Sequence, residues 1–115
     1  MDHDRRALGA HGEELAARWY LGHGYVVLAR NWRSRRGELD VVAGRPGLVV
    51  FCEVKARTTA RFGSGAEAVT ATKQARLRRL AAEWLALRAG GAVDVRFDVA
   101  VVHRGVELEV VEGAF

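Results

Sequence analysis

This 115-residue chain has one cysteine, one proline, only two lysines and no long apolar run. The lone Cys52 excludes an internal disulfide and any zinc site built from several thiolates. It lies at the end of the apolar run Leu48-Val49-Val50-Phe51-Cys52, so it reads as a small buried hydrophobe rather than a nucleophile. Scarce proline in a chain that is 50% hydrophobic excludes a disordered polymer. Without a stretch of about 18 apolar residues, no helix is expected to span a membrane. The charged start Met1-Asp2-His3-Asp4-Arg5-Arg6 has no apolar segment behind it, so no secretory signal is expected and the location is read as cytoplasmic. His3, His11, His23 and His103 are scattered without ligand spacing. The length suits one domain, residues 1–115, around one core.

Arginine is what the chain has in excess. Of 18 basic residues only Lys55 and Lys73 are lysine, and the net charge is +4 with a pI near 10.0. A guanidinium fork donates two bonds at once to phosphate or guanine, so this charge points toward nucleic acid. GC-rich coding gives the same bias with no functional meaning.

Periodicity divides the chain into α-β-β-β-α-β-β. A helix is expected over about Leu8–Leu21, stopped by Gly22 and Gly24. Strands are expected over 25–29, with Asn31-Trp32-Arg33 continuing or leaving the first, then over 38–43 and 48–57. Gly44-Arg45-Pro46-Gly47 separates the last two as a turn. The longest helix begins at about Thr70 or Thr72, runs to Arg88 and buries Leu77, Leu80, Ala81, Trp84 and Leu85. Strands over 93–102 and 106–111 follow. Three strands, a crossover helix and a fourth strand predict an α/β fold with a mixed central sheet flanked by helices.

The chemistry concentrates on the second and third strands. Residues i and i+2 of a strand share a face, so Glu53 and Lys55 emerge side by side, as do Glu38 and Asp40. Twelve residues separate Asp40 from Glu53. A hairpin around Pro46 sets the two acids opposite one another. Two carboxylates ~4 Å apart repel by about 4 kcal/mol at an effective dielectric near 20. Mg²⁺ or Mn²⁺ offsets that repulsion better than one ammonium, and these ions take oxygen ligands. On this reading Asp40 and Glu53 hold the metal, with the Val54 carbonyl as a further oxygen. Lys55 orients a water or stabilises charge growing on a phosphate. Glu38 is a further ligand or fixes a neighbouring arginine. The bland alternative is an ordinary ion pair on a strand, worth less than ~1 kcal/mol when exposed.

Elsewhere, Lys73 and Arg76 lie three apart on one helix face, and Arg57 and Arg61 flank the exit of the third strand. All four are candidate nucleic-acid contacts, or else a solvated basic surface. Gly63 and Gly65 lie in the loop after that strand. Asp98 is expected in a salt bridge with Arg96 or a neighbour, the alternative being an acid that supports the metal ligands. Trp19, Trp32 and Trp84 are expected in the core rather than as base-stacking platforms.

Several segments carry a resemblance in order along the chain. They are Glu14-Leu15-Ala16-Ala17, Tyr20-Leu21, Gly24-Tyr25, Arg30-Asn31-Trp32-Arg33, Gly37-Glu38-Leu39-Asp40 and Phe51-Cys52-Glu53-Val54-Lys55-Ala56-Arg57. Lys73-Gln74, Arg96-Phe97-Asp98-Val99 and Gly113-Ala114-Phe115 complete them. With these the chain resembles the YraN-like family of small bacterial proteins, a branch of the PD-(D/E)XK nuclease superfamily. Cys52 stands where valine is usual, and the superfamily's proline before the first acid is absent. The resemblance implies a restriction-endonuclease-like core with Asp40, Glu53 and Lys55 as catalytic residues. It also implies that Glu14 reaches the metal, although from the residues alone Glu14 reads as a solvated helix acid. Similarity to junction resolvases raises a homodimer as the assembly. The expected activity is metal-dependent, endonuclease-like hydrolysis of DNA, branched or damaged DNA included, with RNA as the other polymer. The alternatives are a non-catalytic nucleic-acid-binding module with the same fold, and an interaction protein that docks through its basic helix.

Overall fold

In the computed structural model the backbone is described for residues 2–57 and 69–115, and side chains for residues 9–56 and 69–115. The elements are α1 (Asp2–Gly22), β1 (Val26–Ser34), β2 (Gly37–Arg45), β3 (Leu48–Arg57), α2 (Ala71–Leu87), β4 (Asp94–His103) and β5 (Glu107–Val111). Their order is the one expected. The strands form one sheet in the order β1-β2-β3-β4-β5. All neighbours are antiparallel except β3 and β4, which run parallel across the α2 connection. This α/β arrangement with a mixed sheet is consistent with a restriction-endonuclease-like core.

Alternation along the central strands separates two apolar layers. Val49, Phe51, Phe97, Val99 and Val101 pack with Leu77, Leu80 and Ala81 of α2. Val41, Ala43, Val50, Cys52 and Ala100 pack with Ala16 and Tyr20 of α1. Cys52 is buried, as expected, and Trp84 and Trp32 lean on the α2-side core. No helix among the described residues is long and apolar enough to cross a membrane.

Local chemistry sets the ends. Gly24 closes α1 in a left-handed conformation (φ 85°). There the Tyr25 N–H reaches the Tyr20 carbonyl at 3.0 Å and the Gly24 N–H the Leu21 carbonyl at 3.4 Å, a Schellman pairing. The expected four-residue turn at 44–47 shrinks to Pro46-Gly47, because Arg45 still pairs with Leu48. Asn31-Trp32-Arg33 continues β1, which pairs with β2 as far as Ser34↔Gly37. Thr70 caps α2 by accepting the Lys73 N–H at 3.2 Å.

Asp98 is fully buried and fully engaged. Arg96 grips both its oxygens at 2.8 and 2.9 Å, Tyr20 donates its hydroxyl, and the Gly113 N–H lies at 3.0 Å. The expected Arg96–Asp98 pair is present, and through it α1, β4 and the final turn are joined.

Candidate metal centre

The site begins where two strands part. Pairing of β2 with β3 ends at Val41↔Cys52, while β3 stays paired with β4 as far as Arg57↔His103. The next residues of the hairpin, Asp40 and Glu53, therefore face a split in the sheet. The Val54 N–H is taken up by an Asp40 carboxylate oxygen at 2.9 Å. Val54 thus fixes the Asp40 carboxylate through its backbone donor.

Carboxylates gather at this split from both sides. Ligand oxygens of Glu38, Asp40 and Glu13 lie within 4.8 Å of one another. Glu13 comes from α1, on the other face of the sheet. Asp40 and Glu53 line one cavity of about 280 Å³ together with Glu38, Lys73 and Arg76. Burial first, then the Glu53 charge, pushes the Asp40 carboxyl up to about 8, and Glu13 and Glu38 add to the rise. Burial also raises Glu13, while the Asn31 amide acts in the opposite direction.

This donor set fits a hard divalent cation. Its donor atoms are all oxygen, and a double positive charge would offset both the burial and the neighbouring carboxylate charge that raise Asp40. Glu13, Glu38 and Asp40 could hold such an ion, with Glu53 lining the same cavity as Glu38 and Asp40. Glu38 also accepts from Arg33 at 2.7 Å, the neighbouring-arginine contact expected of it, while it lies in the acid cluster as well.

Glu14 requires a correction. Its carboxylate is bound by Arg30 at 3.0 Å and Arg18 at 3.2 Å, and the Arg30 hydrogen bond is the main reason its carboxyl lies below the usual range. Successive helix residues point about 100° apart. Only one of the pair can face the split, and that residue is Glu13.

Lys55 shares the face of Glu53, as expected, with its Nζ 3.9 Å from Glu53 Oε1. Lys73 is much nearer, at 2.6 Å from the same oxygen. The Lys73 ammonium, and then burial, push Lys55 below the usual lysine range. Burial is the largest influence on Lys73 and acts to lower it, but the bond to Glu53, the Lys55 side chain and the Glu53 and Asp40 charges together leave it raised. From the sequence Lys73 is a phosphate contact or part of a solvated basic surface, not a partner of Glu53, because a helix-to-strand contact leaves no spacing signal.

Beside the acids lies a basic cleft. Arg36, Lys73, Arg76 and Arg79 line a second cavity of about 440 Å³ with Thr70 and Thr72 at the start of α2. Its outer wall is fastened by Glu83, which accepts from Ser34 at 3.0 Å and pairs with Arg36 at 3.6 Å. The first turn of α2 has no acidic residue. That leaves its partial positive charge available to an anion. Arg76 is thus brought to the acids. The Arg57 side chain, Arg61, Gly63 and Gly65 lie outside the described residues.

The model of the uncharacterised protein family UPF0102 matches residues 12–102, a span containing all the acids and lysines of this centre. The chain is 51% identical over 113 residues to a UPF0102 protein of Frankia alni, covering 95% of this chain and 94% of that one. It is 56% identical over 101 residues to one of Mycolicibacterium vanbaalenii, covering 88% and 84%. Against one of Nocardia farcinica it is 54% identical over 99 residues, covering 86% and 78%. The split in the sheet, its acids and its lysines are therefore features of a chain that belongs to the UPF0102 family.

Proposed function

We propose that this chain is a metal-dependent nuclease of the PD-(D/E)XK type that hydrolyses phosphodiester bonds in DNA. One observation carries the reading: carboxylates converge at a break in the sheet directly beside an arginine-lined cleft. Acids alone suit many cations, and arginines alone suit many anions. Side by side they suit a divalent cation and a phosphate backbone together.

In this mechanism Glu13, Glu38, Asp40 and Glu53 are the residues that would hold Mg²⁺ or Mn²⁺. When bound there, such an ion would supply Lewis-acid polarisation of a phosphoryl oxygen and a more acidic water. The Val54 N–H fixes the Asp40 carboxylate. Lys55, below its usual range and on the face of Glu53, orients the attacking water or stabilises the growing phosphate charge. Arg36, Arg76 and Arg79 position the strand through its phosphates.

Purified protein should nick or cut plasmid, linear or branched DNA when Mg²⁺ or Mn²⁺ is added. Asp40→Asn and Lys55→Ala should each lower the rate by about 10²–10³-fold. Cleavage that persists in both variants places the activity elsewhere. The Lys73–Glu53 contact favours a second reading, a nucleic-acid-binding module whose acid is already neutralised by its own lysine. Salt-sensitive retention of uncut DNA under every metal condition would select that reading.

A further inference from the structure

We infer that Lys73 is an internal counter-cation that couples the binding of metal to the binding of nucleic acid. The inference rests on the metal-centre reading above and adds a residue whose role there is neither ligand nor water-positioning.

Both lysines of the chain converge on one oxygen, Glu53 Oε1, but unequally, at 2.6 Å for Lys73 and 3.9 Å for Lys55. The Glu53 side chain is only 9% exposed. A carboxylate so buried needs a positive partner, because an unpaired buried charge is strongly destabilising. Lys73 supplies that partner in the absence of a divalent ion. Lys73, like Arg76, lines both the acid cavity and the arginine cleft, and of the two it is the one in contact with Glu53. Its backbone is pinned by the Thr70 cap. Its four-carbon stem can nevertheless re-aim the ammonium without moving the helix.

These facts set up an exchange. A cation that recruits Glu53 displaces the ammonium. The displaced ammonium then needs an anion, and the cleft it already lines, with Arg36, Arg76 and Arg79, is built to receive a phosphate. A phosphate arriving first draws Lys73 away from Glu53 and opens that carboxylate to the cation. Each ligand therefore promotes the other, and linkage requires the promotion to be reciprocal. A plain fastening of α2 to β3 has no such consequence.

The test is calorimetric titration of Mn²⁺ with and without a short phosphorothioate DNA duplex, after subtraction of ion uptake by the duplex alone. In the wild type the duplex should tighten Mn²⁺ binding by about tenfold, a typical coupling between two sites. Lys73→Gln should bind Mn²⁺ several-fold more tightly than wild type without DNA, and the duplex should then add little. Lys73→Arg, which keeps the charge and grips a carboxylate with two donors, should bind Mn²⁺ no more tightly than wild type; it serves if the glutamine variant does not fold. A glutamine variant with unchanged or weaker Mn²⁺ affinity, or with the full duplex effect, overturns the inference and leaves the nuclease reading intact. Absence of Mn²⁺ binding in every protein, together with absence of cleavage, overturns both.

Discussion

Glu13 and Glu14 are adjacent acids with opposite surroundings. One joins Glu38 and Asp40, and the other is tied up by Arg18 and Arg30. Replacing Glu13 with Gln should weaken Mn²⁺ binding by at least about tenfold. Glu14→Gln should leave it nearly unchanged, and titration calorimetry of the two proteins separates them. Equal losses would show that α1 contributes in some other way. A signal for the right acid did exist in the sequence. Glu13 precedes buried Ala17 by one turn, whereas Glu14 precedes exposed Arg18. The small residue marks the stripe that faces the sheet. Asp40, Glu53 and Lys55 were readable because strand alternation and a short hairpin dictate their neighbours. Lys73 was not, since its partner lies on another element.

At the scale of elements, the approach of α1 to the sheet decides whether Glu13 arrives. Gly12, Ala16 and Tyr20 recur four apart along the buried side of that helix. A Cβ at Gly12 would meet Val54 Cγ1 at 3.1 Å and Val102 Cγ2 at 3.3 Å. Gly12→Ala gains about 1 kcal/mol in helix propensity but incurs about 1–3 kcal/mol of overpacking. The expected net result is a modest loss of stability and a helix moved off β3 and β4, with weaker Mn²⁺ binding because Glu13 moves too. Thermal melting and metal titration check the two effects separately; unchanged metal affinity would mean that the sheet yields instead. Element order was legible from periodicity, and the 48–57 strand matched to the residue. Strand ends were less so, because partners decide where pairing stops. Ser34 stays in β1 through Gly37, and Arg45 stays in β2 through Leu48.

At the scale of the whole molecule, clustered carboxylates make stability depend on pH in an unusual direction. An ordinary aspartate loses its proton near 3.8, but Asp40 in the folded chain keeps it up to about 8. Between those values the folded state binds the extra proton. Its stabilising contribution is complete below the lower value and is lost as pH rises through the upper one. The metal-free protein should therefore lose several degrees of Tm, relative to Asp40→Asn, as pH is raised across this window. Saturating Mg²⁺ should remove the difference by replacing the proton. A difference that stays flat with pH would mean that Asp40 ionises normally. The repulsion between Asp40 and Glu53 was legible in the strand pattern, but the burial of Asp40 and the approach of Glu13 from α1 were not.

The parallel pairing of β3 with β4 has a further consequence during synthesis. The four acids are all translated by residue 53, yet the strand that flanks β3 on its far side comprises Asp94–His103. A nascent chain leaving the ribosome thus displays every carboxylate long before the scaffold that orders them exists. Contacts so distant along the polymer form late. Whatever reactivity the finished centre has is withheld until Asp94–His103 has been translated and paired.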